Sequence, residues 1–289
     1  MAGLITRYRP HVVVCTHPFP LGAASSLRHK KKLSYIIAGV ITDFAVHPWW
    51  IAEGVDHYFV ANEVMEKTLL QHGISHDRIT ISGIPVGSNF KPSETRAMNE
   101  VPHILIMGGG LGFGRMQTTL CKLEQLPKPV KGTVVTGKNE ELKQQLQLLT
   151  KSLGNNITVL PFSPHIATMM KQADVLITKP GGLTCSEALA VNLPMILLNP
   201  LPGQEEENAN YLQQQGSALW IKEEKDLISK MTDVIFDKPE MAKRMQQKCA
   251  KISPQYAGIT ITKQLKIFAE SSSSAKQMAS NHEYWKAGV

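Results

Sequence analysis

Short β-branched runs alternate with longer helical patterns along nearly the whole chain, and this alternation restricts the fold to parallel α/β layers. HVVVCT at 11–16, YIIAGVITD at 35–43, HYFVAN at 57–62 and ITISGI at 79–84 predict four strands. Helical patterns lie between them at 25–32 and 63–71, the second stopped by Gly73. A polar passage rich in Pro, Gly and Ser, PVGSNFKPSETRAMNEVP, then breaks the alternation as an interdomain linker. A second series follows, with strands predicted at 103–108, 132–137, 156–162, 174–179 and 194–200. Each is followed by a turn cluster and a helix, the organisation of an open nucleotide-binding α/β domain. Helices are expected over 223–249 and 259–270, and the serine-rich end has little apolar periodicity and is expected to be mobile.

Composition narrows the class of protein. At 289 residues and 43% hydrophobic, the chain can bury a sizeable core. Its apolar runs fall well short of the roughly 20 residues of a spanning helix, and the start, MAGLITRYRP, has too short an apolar run for a secretory signal. Four scattered cysteines, Cys15, Cys121, Cys185 and Cys249, with no CxxC, argue against a zinc site or a disulfide framework and fit a reducing cytoplasm. The net charge of +7 favours anionic partners. Arg28, Lys30, Lys31 and Lys32 concentrate that charge beside Leu27 and Leu33, and no aromatic-rich basic stripe accompanies them. An anionic membrane surface or a solvated helix face is therefore expected rather than nucleic acid, and in the first case the protein is peripheral on the inner face of the cell membrane.

The first strand of the second series runs into Gly108-Gly109-Gly110-Leu111-Gly112-Phe113-Gly114. Backbone N–H groups of such a loop, unobstructed by Cβ atoms, can cradle a diphosphate. The dinucleotide fingerprint fails, because Phe113 takes its last glycine position and the next strand ends in Gly137-Lys138-Asn139 without an acidic residue. Lys179-Pro180-Gly181-Gly182-Leu183-Thr184-Cys185-Ser186-Glu187 ends another strand. Thr184 and Glu187 have capping-box spacing, and Glu187 can instead accept both ribose hydroxyls while N–H groups at Gly181 and Gly182 meet phosphate. After the next strand, Gln204, Glu205 and Asn208 offer donors and acceptors suited to hexose hydroxyls, whereas Glu206 and Glu207 are read as solvated first-turn charges. Pro161-Phe162-Ser163 stands at an equivalent crest, where exposed backbone groups can read a base edge beside Phe162.

GGGLGFG, a GK turn, PF and then ADVLITKPGGLTCSEALAVNLPMILLNPLPGQEEENA, in this order, resemble the nucleotide-sugar domain of the bacterial diacylglycerol glucosyltransferases and plant monogalactosyldiacylglycerol synthases. A more distant resemblance is to the N-acetylglucosaminyltransferase that makes lipid II. The likeness implies GT-B architecture, an α/β fold of two Rossmann-like domains with a cleft between them. It implies a partial acceptor domain at 1–88, a linker at 89–102, a donor domain at 103–256 and a C-terminal helix and tail at 257–289. Gly109, Gly110, Leu111, Gly112, Phe113, Lys138, Phe162, Gly181, Gly182, Thr184, Glu187, Gln204, Glu205 and Asn208 are then the nucleotide-sugar residues. Thr42-Asp43 before His47-Pro48-Trp49, and Thr16-His17-Pro18-Phe19, also resemble the lipid-acting branch. Asp43 and His47 are its candidates to orient or deprotonate the acceptor hydroxyl, with an N-cap aspartate and a packed histidine as the alternative.

The implied reaction moves a hexose from UDP-glucose or UDP-galactose to diacylglycerol with inversion. No cofactor is expected beyond the UDP-sugar, and no metal, since the chain has no Asp-x-Asp triplet. Transfer of N-acetylglucosamine to an undecaprenyl-linked acceptor and a non-catalytic sugar-nucleotide-binding module are the alternatives. The first series starts directly on a strand, so the acceptor domain is expected to be incomplete and to transfer sugar poorly.

Overall fold

A computed structural model describes residues 1–31, 33–92, 99–108 and 116–286, with the side chains of 224 and 272–286 outside the description. The chain divides into two compact units, Met1–Pro85 with Tyr256–Val289, and Val86–Gln255.

The first unit runs α1 (Ala2–Tyr8), β1 (Val12–Cys15), α2 (Pro18–Lys31), β2 (Ile36–Val40), β3 (His57–Val60), α3 (Glu63–Gln71) and β4 (Ile79–Ile81). The strands form a parallel sheet in the order β1-β2-β3-β4. α3 shows why these segments fold as they do. Asn62 accepts a hydrogen bond from the Met65 N–H at 3.0 Å, Glu63 and Glu66 favour the positive end of the helix, and Met65 and Leu69 bury one stripe. Gly73, at φ 80°, follows its end. α2 starts seven residues before the predicted helix, at Pro18, where a fixed φ suits the first helical position. α1 was not anticipated by the sequence pattern, which is too short there to show a period.

Successive strand residues face opposite sides of the sheet. Ile37, Tyr58 and Val60 pack with Leu21 and Ala24 of α2 and with Met65 and Leu69 of α3. Ala38, Val40 and Phe59 face the other way, where Ile261, Leu265 and Phe268 cover them.

The second unit contains β5 (His103–Met107), α4 (Met116–Leu123), β6 (Lys131–Val135), α5 (Glu140–Thr150), β7 (Asn156–Leu160), α6 (Ile166–Gln172), β8 (Val175–Thr178), α7 (Gly182–Ala190), β9 (Met195–Leu197), α8 (Gln204–Gln214), β10 (Ala218–Trp220), α9 (Leu227–Thr232) and α10 (Pro239–Lys251). Its parallel strands lie in the order β10-β9-β8-β5-β6-β7. β10, at three residues, is below what alternation in the sequence reveals. The helix expected over 223–249 is divided, because Pro239 cannot continue a helix and instead starts α10. Asp174 ties the linker to this unit, accepting from the His103 N–H at 2.7 Å and from the Asn99 side chain at 2.8 Å.

The chain ends in α11 (Ala257–Lys286), which supplies the residues covering the second face of the first sheet. The terminal segment read as a separate mobile tail is helical to Lys286 and forms part of the first unit. Among the described residues, no helix is long and apolar enough to cross a membrane.

Candidate functional site

The strand order of the second sheet reverses between β5 and β8, and open α/β sheets bind ligands outside the carboxyl ends of the strands at such a reversal. A crevice lies there, lined by Met107 and Gly108 from β5, Thr178 and Lys179 from β8, and Leu198 and Asn199 beyond β9. Thr178 is 3% exposed, and its hydroxyl has no hydrogen-bond partner among the described residues. Sequence reasoning did not single it out, since a threonine closing a strand carries no signal of its own. Gly109, Gly110, Leu111, Gly112 and Phe113 lie outside the described residues.

α7 rises directly from this crevice. Its N-cap is Gly181, so Thr184 is the third helical residue and the capping box read between Thr184 and Glu187 does not form. A Cβ built on Gly181 meets no atom of the described residues within 4 Å, so packing among them does not demand glycine there and the backbone is open to close approach. The Gly181 N–H is not free, as expected from sequence, but bonds to the Lys179 carbonyl at 2.8 Å. The N–H groups of Gly182, Leu183 and Thr184 precede the first intrahelical bond, from Cys185 to the Gly181 carbonyl, and point along the positive end of the helix. One turn on, Glu187 is half-buried and has no hydrogen-bond or ion-pair partner among the described residues. Burial pushes its carboxyl up to about 7.

α8 begins beside it. Gly203 adopts φ 86°, a region that favours glycine, and its N–H is accepted by Glu206 at 3.2 Å, so Glu206 caps the helix rather than standing free in solvent. Glu205 is held on both oxygens, by Lys179 at 2.5 Å and by the Leu201 N–H at 2.8 Å. Lys179 was missed as a site residue, although a lysine closing a strand next to a glutamate-rich βα loop is a readable signal. Asn208 is fully buried and donates to the Pro180 carbonyl at 3.0 Å. It braces the loop between β8 and α7, a role the hexose reading did not foresee. Gln204 is half-buried at the first position of α8.

At the neighbouring crest, Phe162 is 60% exposed and Lys138 is exposed. The Phe162 N–H donates to the Gly137 carbonyl at 2.7 Å and is therefore not available to read a base edge. Among the described residues, no group of three or more His, Cys, Asp or Glu side chains is arranged to hold a metal ion.

In the first unit, His17-Pro18-Phe19 and His47-Pro48-Trp49 build the same device at the carboxyl ends of β1 and β2. Each histidine Nδ1 accepts the N–H two residues on, at 3.3 Å for Phe19 and 3.2 Å for Trp49, and each proline opens a helical turn. The Phe19 and Trp49 rings lie 5.1 Å apart. The N-cap is thus His47 and not Asp43, which is half-buried in the preceding loop. An imidazole accepting at Nδ1 carries its neutral-state proton on Nε2, so His47 in this arrangement offers a donor and not a base.

The basic cluster divides. Arg28 is turned inward, where its guanidinium pairs with Asp56 and bonds to the Gly54 and Tyr35 carbonyls, so it is a structural residue and not a membrane contact. Lys30 and Lys31 are exposed, and Lys32 lies outside the described residues.

The monogalactosyldiacylglycerol (MGDG) synthase family matches residues 1–86, and the glycosyltransferase family 28 C-terminal domain matches residues 103–260. The processive diacylglycerol beta-glucosyltransferase of Bacillus subtilis (strain 168) is 32% identical over 245 residues, which cover 82% of this chain and 64% of the relative. That of Bacillus pumilus (strain SAFR-032) is 30% identical over 266 residues, covering 89% of this chain and 69% of the relative. The chain therefore spans about two thirds of the length of such relatives. Among solved structures, Acinetobacter baumannii MurG has a TM-score of 0.67 at 15% identity, covering 91% of this chain and 76% of that one. The UDP-GlcNAc 2-epimerase from Neisseria meningitidis, solved with UDP-GlcNAc, has a TM-score of 0.63 at 16% identity, covering 91% and 78%. These two likenesses establish the GT-B-like α/β fold. The chain belongs to the glycosyltransferase family that contains the processive diacylglycerol beta-glucosyltransferases and the MGDG synthases.

Proposed function

We propose that this protein transfers a hexose from a UDP-sugar to diacylglycerol, forming a β-glycosyldiacylglycerol. The observation that carries the reading is Glu187, a half-buried carboxyl without a partner among the described residues, on a helix that starts at the sheet's switch point beside a glycine not required by packing. Two vicinal ribose hydroxyls supply the donors it lacks, and the N–H groups of Gly182, Leu183 and Thr184 receive the diphosphate. In the step itself, the acceptor oxygen bonds to the anomeric carbon as the bond to the diphosphate breaks, and UDP leaves with the developing charge held by those N–H groups. The proton of the acceptor hydroxyl goes to a carboxylate, for which Asp43 is the candidate, while His47 Nε2 donates to orient the acceptor. Gln204 is the candidate reader of the hexose. The curated relatives' names support diacylglycerol as acceptor. Lys30 and Lys31, both exposed, support contact with an anionic membrane surface such as that of the cytoplasmic leaflet.

The test is glycolipid formation from diacylglycerol in mixed micelles with UDP-glucose, UDP-galactose or UDP-GlcNAc, alongside calorimetric titration of UDP. Glycosyldiacylglycerol from a hexose donor, and a Glu187→Ala loss of UDP affinity of about tenfold or more, are expected for a charged acceptor. UDP affinity unchanged in Glu187→Ala overturns the donor-site assignment.

A further inference from the structure

Thr178 closes β8, which lies between β5 and β9 in the second sheet, and its backbone is locked on both sides. It stands in register with Met107 and Leu197, and its carbonyl accepts the Leu198 N–H at 3.0 Å. The side chain is β-branched and therefore stiff, so few directions are open to its hydroxyl. That hydroxyl is buried, at 3% residue exposure, and has no hydrogen-bond partner among the described residues. Burying a hydroxyl unpaired costs stability, and valine has the same shape and suits a buried strand. Thr178 therefore weakens the fold unless a further group meets its hydroxyl.

The space beside it is the size of an oxygen. The crevice that Thr178 lines at the carboxyl ends of β5 and β8 has a volume of about 30 Å³, room for one or two water-sized atoms and not for a sugar or a base. Ile106, Met107, Met116, Ile177 and Leu198 make much of its wall apolar, and the Lys179 ammonium is taken up by Glu205. A water here finds few of the polar partners that would order it, and an oxygen carried by a ligand displaces such a water at little cost. α7 gives the direction from which that oxygen comes. Ahead of Glu187 on this helix are the open N–H groups of Gly182, Leu183 and Thr184, and ahead of those lies Thr178 at the strand end. With the ribose at Glu187, the α-phosphate and then the β-phosphate follow in that order toward Thr178.

We propose that the Thr178 hydroxyl donates to an oxygen of the donor's β-phosphate, which makes Thr178 a catalytic residue for the transfer. The inference rests on the donor-site reading of Glu187 and adds the group that meets the leaving end of the diphosphate. As the acceptor oxygen bonds to the anomeric carbon, the bond from that carbon to the β-phosphate oxygen breaks and its electron pair stays on the phosphate. Thr178 keeps its proton throughout, and its hydrogen bond strengthens as charge develops, from a position fixed before the donor arrives.

The test titrates the 289-residue chain calorimetrically with UDP and with UMP, which share the uridine and differ by the β-phosphate, and follows the melting temperature of the free protein. Thr178→Val is expected to lower the affinity for UDP about tenfold or more, as for a hydrogen bond to a charged group, while the affinity for UMP changes by less than about twofold. Its melting temperature is expected to stay level or rise, because an unpaired hydroxyl has been removed. Thr178→Ser keeps the hydroxyl and is expected to retain the parent's preference for UDP over UMP, and Thr178→Ala is expected to lose it by a second route. A clear fall in the melting temperature of Thr178→Val reveals a structural partner for the hydroxyl and overturns the proposal. So does a ratio of UDP to UMP affinity that is unchanged in either folded variant lacking the hydroxyl, or that Thr178→Ser loses equally. If Glu187→Ala still weakens both ligands in that case, the donor-site reading stands and this inference alone falls, whereas a parent that binds no UDP overturns both.

Discussion

In the proposed donor site, Glu187 would couple proton binding to ligand binding. Its carboxyl titrates near 7 when folded against an ordinary 4.5, so the folded state holds the proton more tightly. Its contribution to stability is therefore full below about 4.5 and lost as pH rises through about 7. Ribose hydroxyls bind the ionised form, so the affinity for UDP-glucose, whose diphosphate has no proton to lose in this range, is expected to increase as pH rises through about 7. Calorimetry across that range checks it, with Glu187→Gln expected to flatten the profile. Glu205 behaves differently because Lys179 and the Leu201 N–H already hold it. Glu205→Ala is expected to lower the melting temperature as well as donor affinity, by roughly 1–3 kcal/mol for a part-buried pair left broken. Lys179→Ala added to it should cost little more, and additive losses in the double-mutant cycle would deny the coupling. The sequence brought Glu187 and Glu205 into view but not their different surroundings. Thr184 and Glu187 have capping-box spacing, yet the helix begins at Gly182, and only the backbone path after Pro180 decides that.

Elements were legible where a period had room to show. α3 was read from its helical pattern and the glycine that stops it, both local signals, and the structure adds the Asn62 cap. α1 and β10 were missed at seven and three residues, because so short a segment takes its structure from its neighbours. The pairing of α11 with the first sheet joins residues about 200 positions apart, such as Phe59 and Ile261, which local pattern cannot report. The interface makes its own prediction through His57. Its ring packs 5.0 Å from that of Phe268, and its Nε2 lies 2.8 Å from the Thr80 hydroxyl. Burial lowers its titration from 6.5 to about 4, so the unfolded chain binds the proton first as acid is added. Stability from this site is present above 6.5 and is lost as pH falls toward about 4. Hydrogen exchange in β3 is expected to quicken over that window, and His57→Phe should remove the dependence.

At the scale of the whole molecule, the charge of +7 predicts attraction to anionic surfaces, but the structure divides the work among its cations. Flotation with vesicles rich in anionic lipid is expected to weaken in Lys30→Gln/Lys31→Gln, by about 1 kcal/mol per charge, and to fade as salt rises. Arg28→Gln should instead lower the melting temperature, since it breaks the contacts to Asp56, Gly54 and Tyr35. The alternation of strands and helices disclosed both α/β sheets, but not that the first unit is assembled from the two ends of the chain. That arrangement bears on the order of events during synthesis. Val86–Gln255 is continuous and can fold as soon as it emerges, whereas β2 and β3 must wait for α11. The 170 intervening residues, counted from 86 through 255, take about 10–30 s to translate at roughly 5–20 residues per second. Through that interval Ala38, Val40 and Phe59 lack their cover, which makes the nascent first unit a natural client for a ribosome-associated chaperone.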